Sequence, residues 1–156
     1  MPKVLPSAPE AEASLLGTMM VYPNAARIAM EAGVSEDDFF IESNRRVFQA
    51  CESLYKTGSP IDLTTVATRL KDMNLLEKAG GISYLTDLGD AAVTSANTKS
   101  YVTMIHEKAL MRSMIEAAEN VAEEGFAGQT DINDYLDKYS ISDLMWQDDP
   151  ADNYVI

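Results

Sequence analysis

The sequence predicts an all-α protein, and three observations carry that prediction. Each strongly patterned segment places its apolar residues at helical spacing, and none alternates as a half-buried strand does. Gly and Pro punctuate the chain between those segments. Finally, residues 97–124 contain no Gly or Pro and are rich in Ala, Met, Glu and Lys, which describes a helix of roughly 27 residues and ~40 Å. The expected order is an extended arm (1–8), a compact multi-helix globular subdomain (9–95), a long αα-hairpin (96–145) and an acidic tail or start of a linker (146–156).

The elements follow in turn. Ser7-Ala8-Pro9-Glu10 reads as a capping box with Pro in the first helical turn, and Ala11, Leu15, Leu16 and Met19 form the inner stripe behind it. A short helix runs from Pro23 to about Ala32 and stops at Gly33. Residues 34–40 make a turn whose aromatic pair, Phe39-Phe40, plugs the core. Ser43 is the expected cap of a third helix with Val47, Phe48, Cys51, Leu54 and Tyr55 on one face, so Cys51 reads as a buried structural thiol. Asp62 caps a fourth helix, with Leu63, Val66, Ala67, Leu70 and Met73 inward. Gly80-Gly81 introduces a helix carrying Tyr84, Leu85 and Leu88. The long helix is expected to end at Gly125, and a partner helix over about 132–145 completes the hairpin.

That long helix carries a wide apolar stripe: Tyr101, Met104, Ile105, Met111, Met114, Ile115, Ala118, Val121 and Ala122. One short partner helix cannot cover it, so the excess should meet the globular part or another chain. Nine methionines in the chain suit an adaptable contact surface.

Composition excludes several classes. With 12 Lys+Arg against 25 Asp+Glu the net charge is −13, which opposes binding to nucleic acid or anionic lipid. Arg45-Arg46 with Lys56 is the largest cationic group. No segment approaches ~20 apolar residues, and the N-terminus lacks a signal-peptide layout, so a cytoplasmic location is expected. One Cys and one His allow neither an intrachain disulfide nor a zinc site. There is no glycine-rich phosphate loop, no H-E-x-x-H and no G-x-S-x-G. His106, between Ile105 and Glu107, reads as part of a solvated helix face. No catalytic site emerges, and the chain is expected neither to bind nor to hydrolyse ATP.

Five segments together resemble one family. Pro9-Glu10-Ala11-Glu12-Ala13-Ser14-Leu15-Leu16-Gly17 is similar to its opening helix, and Asp38-Phe39-Phe40 with Asn44-Arg45-Arg46-Val47-Phe48 to its next segment. Gly58-Ser59-Pro60-Ile61-Asp62-Leu63 with Thr65-Val66, Gly80-Gly81-Ile82-Ser83-Tyr84-Leu85, and Ala96-Asn97 through Tyr101 follow in the same order and spacing. The chain thus resembles, over about residues 3–138, the N-terminal domain of the DnaB-type replicative DNA helicases. It departs at the end: where the family continues through an acidic linker helix into an ATPase domain, Asp143-Leu144-Met145-Trp146-Gln147-Asp148-Asp149-Pro150 leads into a tail without Lys or Arg.

The resemblance implies an assembly role. Family members form a collar in which hairpins pair within a hexamer, and the collar docks the C-terminal, helicase-binding domain of primase. Tyr84, Ile115 and Val121 match family positions sensitive to primase, while Tyr101, Met104, Met111, Met114 and Ala118 fall on the pairing hairpin. Other copies of the chain and primase are the implied partners, with a helicase loader as a further candidate. ATP and Mg are implied only for the full-length helicase, and this chain is expected to need no cofactor. The alternative is a stand-alone phage or plasmid regulator that joins or mimics the collar. An open frame continuing past codon 156 into a phosphate-binding loop would favour the first reading, and a stop codon the second.

Overall fold

The computed structural model describes residues 3–139, and among these the chain forms seven α-helices and no strand. They are α1 (Pro9–Val21), α2 (Pro23–Glu31), α3 (Glu42–Lys56), α4 (Leu63–Asp72), α5 (Gly81–Asp90), α6 (Thr98–Ala127) and α7 (Ile132–Tyr139). A 3-10 turn, Glu36–Asp38, joins α2 to α3. The all-α class is as the periodicity predicts.

Two compact units divide the chain, one ending at Arg112 and the next beginning at Ser113. The first holds α1 to α5 and about four turns of α6. It reaches past residue 95 because α6 opens by burying Thr98, Val102, Ile105 and Arg112.

α1 is the centre of the first unit and packs against α2, α3 and α5. The expected stripe of Ala11, Leu15, Leu16 and Met19 is buried, but so are Glu12, Gly17, Thr18 and Met20, because neighbours surround the helix. Leu15, Leu16 and Met19 have no exposed surface, and each contributes about 1.5–3 kcal/mol by leaving water. Gly17 lets the α1 and α5 backbones touch: a Cβ there would lie 2.9 Å from the Leu88 carbonyl carbon and nearer still to its oxygen.

α3 turns Val47, Phe48, Cys51 and Leu54 inward, while Tyr55 stays partly exposed at the edge of that face. Phe39 is fully buried with its ring centroid 5.0 Å from that of Phe48. Phe40, in contrast, is exposed, so only one of the aromatic pair plugs the core. Burial pushes the Cys51 thiol up to about 12, which removes thiolate reactivity at neutral pH. The Asp62 cap forms as expected: its carboxylate accepts from the Thr65 amide at 2.9 Å, and the Thr65 hydroxyl accepts from the Asp62 amide at 2.9 Å. Val66, Ala67 and Leu70 are buried on α4, whereas Leu63, in its first turn, is exposed.

Two expected caps are absent. Ala8, not Ser7, is the N-cap of α1 and makes no side-chain bond, because the helix starts one residue too late for Ser7 to reach its amides. α3 begins at Glu42, so Ser43 lies inside the helix and does not cap it. The turn entering α3 is instead held by Glu12 of α1.

In the second unit α6 runs through Gly125, where it was expected to end. Gly125 serves packing: a Cβ there would come within 2.7 Å of the Tyr135 hydroxyl, which donates to the Val121 carbonyl. The turn comes at Gly128, whose φ of 63° suits a residue without Cβ. α7 is described from Ile132 to Tyr139; the rest of the helix expected to 145, and the tail at 146–156, lie outside the described residues.

Candidate partner-binding surfaces

Tyr84 lies in the first turn of α5, where the sequence brings a left-handed Gly80 (φ 98°) directly beneath it. A Cβ on Gly80 would lie 2.7 to 2.9 Å from Tyr84 Cβ, Cγ and Cδ2, so the glycine makes room for the ring. The Tyr84 hydroxyl donates to Asn44 Oδ1. Asn44, fully buried, donates in turn to Glu12 at 3.0 Å. The Glu12 carboxylate also accepts the Phe40 amide at 2.8 Å and the Ile41 amide at 3.3 Å. A buried carboxylate is thus partnered by three N–H donors at the start of α3. Burial pushes the Tyr84 phenol above its ordinary range, and the Glu12 charge adds to that shift. Tyr84 as a whole is partly buried against the core.

A second cluster holds the first half of the long helix. Arg112 is buried and donates to the Pro6 carbonyl at 2.9 Å and the Asp38 carbonyl at 2.8 Å, with its guanidinium 5.3 Å from the Phe40 ring centroid. His106 Nε2 lies 3.4 Å from Asp38 Oδ2. His106 is therefore half-buried against the 3-10 turn, and not on the solvated face that its charged neighbours suggested. The cationic group proposed from sequence is engaged locally: Arg45 donates to the Phe39 carbonyl, Arg46 pairs with Glu42, and Lys56 pairs with Glu52.

Several large apolar side chains on α6 are exposed. Met104, Met111 and Met114 are each about half exposed, at 49%, 55% and 56%. Ala118 is exposed, Ile115 and Val121 are half-buried, and Tyr101 packs against the core. The sequence reading missed Leu110, 70% exposed, and Phe126, 90% exposed. Leu110 stood outside the chosen stripe, and Phe126 was lost by ending the helix at Gly125. Of the three residues carried over as primase contacts, Tyr84 belongs to the first unit, and Ile115 and Val121 to the second.

The second unit is closed by a polar cluster. Glu124 accepts the Tyr139 hydroxyl at 2.6 Å, Lys138 Nζ at 2.9 Å and the Thr130 hydroxyl at 2.9 Å. These donors, Tyr139 foremost, lower the Glu124 carboxyl from 4.5 to about 2. A depressed carboxyl stabilises the fold above its ordinary range, and the effect is lost as pH falls through the folded value. The contacts of α7 should therefore persist below pH 4 and dissolve toward about pH 2. Amide shifts of α7 followed through an acid titration will report that step; Glu124→Gln should lack it, and an unchanged step in that variant would exclude Glu124 as its source.

Among the described residues no group of three His, Cys, Asp or Glu side chains could hold a metal ion, and no helix is long and apolar enough to cross a membrane. Among the described residues the fold is all-helical, with partly exposed methionines on its longest helix. Residues 4–107 match the DnaB-like helicase N-terminal domain family model, and the chain belongs to that family.

Relatives agree. The chain is 36% identical over 127 residues to the replicative DNA helicase DnaC of Bacillus subtilis, covering 81% of this chain and 28% of that protein. It is 34% identical over 136 residues to the replicative DNA helicase DnaB of Geobacillus stearothermophilus, covering 87% and 30%. It thus spans under a third of the length of these curated relatives. A crystal structure of the N-terminal domain of DnaB helicase from Mycobacterium tuberculosis superposes with a TM-score of 0.83 at 33% identity, covering 88% of this chain and 96% of that one. The same fold recurs, at 19% identity and a TM-score of 0.71, over 86% of this chain and 31% of a DnaB-like replicative helicase described with its interactions with primase.

Proposed function

We propose that this chain acts as the collar domain of a replicative DNA helicase, pairing with copies of itself along α6 within a hexamer and docking the C-terminal domain of primase. It performs no chemical step of its own and takes no cofactor; ATP and Mg serve the catalytic domain of the full-length helicases. The observation that carries the reading is the exposure of Met104, Leu110, Met111 and Met114 on one helix of a −13 protein. Large apolar side chains gathered on one surface mark a contact site more often than scattered ones do. The primase interactions described for a helicase of the same fold support the docking half of the proposal. Tyr84, Ile115 and Val121 are the proposed partner contacts, with Tyr101, Met104, Met111, Met114 and Ala118 on the pairing hairpin. A helicase loader is a further candidate partner, in the cytoplasmic setting of DNA replication.

Sedimentation tests the pairing half. The wild-type chain should self-associate at high micromolar concentration, through a self-complementary contact. Met111→Glu with Met114→Glu should shift it to monomer while keeping its helicity by circular dichroism. A wild type that stays monomeric at that concentration contradicts the pairing.

A further inference from the structure

We infer that Glu12 and Asn44 are positioning residues for Tyr84, holding its ring as a preset anchor for the docking partner. The inference rests on the proposed docking role of Tyr84.

Three features converge on that side chain. Below, the Gly80 backbone lies where any Cβ would strike the ring, so the side chain is seated closely along its length. At the tip, the hydroxyl is held by Asn44 Oδ1. Behind that, Asn44 is itself fixed, because its amide nitrogen is spent on Glu12 at 3.0 Å and the residue has no exposed surface. Glu12, 1% exposed, cannot turn away without abandoning the Phe40 and Ile41 amides. A chain of donors therefore runs from α5 through α3 to α1, while Tyr84 itself is packed against the core but not fully buried. The arrangement leaves no buried side-chain polar atom unpartnered among the described residues. A purely structural tyrosine would gain most by burying its ring as well as its hydroxyl. Here the hydroxyl is tied to a buried residue while Tyr84 keeps part of its surface accessible, which is how an aromatic residue becomes a rigid contact with little conformational entropy left to lose on binding.

The test is a double-mutant cycle on the full 156-residue chain, with binding of the cognate primase C-terminal domain measured by calorimetry and melting temperature recorded for each variant. Tyr84→Phe keeps the ring but cuts the tie, and should weaken binding about three- to tenfold at temperatures where the variant is still fully folded, even though leaving buried Asn44 Oδ1 without its donor lowers the melting temperature by some degrees. Asn44→Ala should weaken binding similarly in the wild-type background and have no further effect on affinity in a Tyr84→Ala background, because it acts only through that ring. An Asn44→Ala loss that persists without Tyr84 overturns the positioning role, as does wild-type affinity in Tyr84→Phe. Wild-type binding by Tyr84→Ala would instead remove Tyr84 from the dock and overturn the underlying reading. Tyr84→Phe leaves the Glu12–Asn44 contact intact, so it decides the question even where Asn44→Ala does not fold.

Discussion

Gly17→Ala should cost the fold about 3 kcal/mol, measurable by chemical denaturation, although alanine is the better helix former. In an unobstructed helix interior the exchange would stabilise by about 1 kcal/mol. Here the new methyl meets the Leu88 carbonyl, with Ala92 Cβ at 3.6 Å on the far side. A backbone carbonyl in the last turn of α5 cannot step aside as the end of a side chain would, so α1 and α5 must part, loosening the packing of Leu15, Leu16, Leu85 and Leu88. Overpacking of a dense core typically costs 1–3 kcal/mol, and a clash with backbone belongs at the upper end. Gly89→Ala is the control. That glycine is also helical, nothing lies within 4 Å of a Cβ built on it, and its replacement should stabilise by about 0.5–1 kcal/mol. Equal effects at the two sites would mean that the close approach of α1 and α5 is not what Gly17 provides.

The second large effect is expected from Glu12→Ala, about 3–5 kcal/mol. Removing the carboxylate strips partners from the Phe40 and Ile41 amides and from Asn44 Nδ2. Each buried donor left without an acceptor costs about 1–3 kcal/mol, and the vacated volume adds a cavity term. Glu12→Gln keeps one acceptor oxygen but points an amide at other donors, so it should fall between alanine and wild type. A loss below about 1 kcal/mol for Glu12→Ala would show that water replaces the carboxylate, contrary to its burial.

Much of the fold was legible because these helices are amphipathic and their ends coincide with Gly and Pro. Misreadings arose where a tertiary contact took over a local task. Ser43 looked like the cap of α3, but the turn before that helix is served by Glu12, some thirty residues earlier in the chain. A trace of this was visible: Glu12 shares the helical face of Leu16 and Met19, an unusual place for a carboxylate without a partner. Gly125 read as a terminator because glycine often ends helices, yet its role is to admit Tyr135. That error concealed Phe126. The methionines of α6 were readable as surplus apolar surface, since a stripe wider than one partner helix can cover shows in the spacing alone. Tyr84 entered only through the family resemblance; its tie to Asn44 joins positions forty residues apart, which no local pattern reveals.

The proposed docking role of this domain is tested most directly by calorimetric titration of the cognate primase C-terminal domain into the wild-type chain. Saturable binding at micromolar affinity or tighter, in a chain that is helical by circular dichroism, is the predicted result. A folded chain and a folded primase domain that give no binding at high micromolar concentration would contradict it.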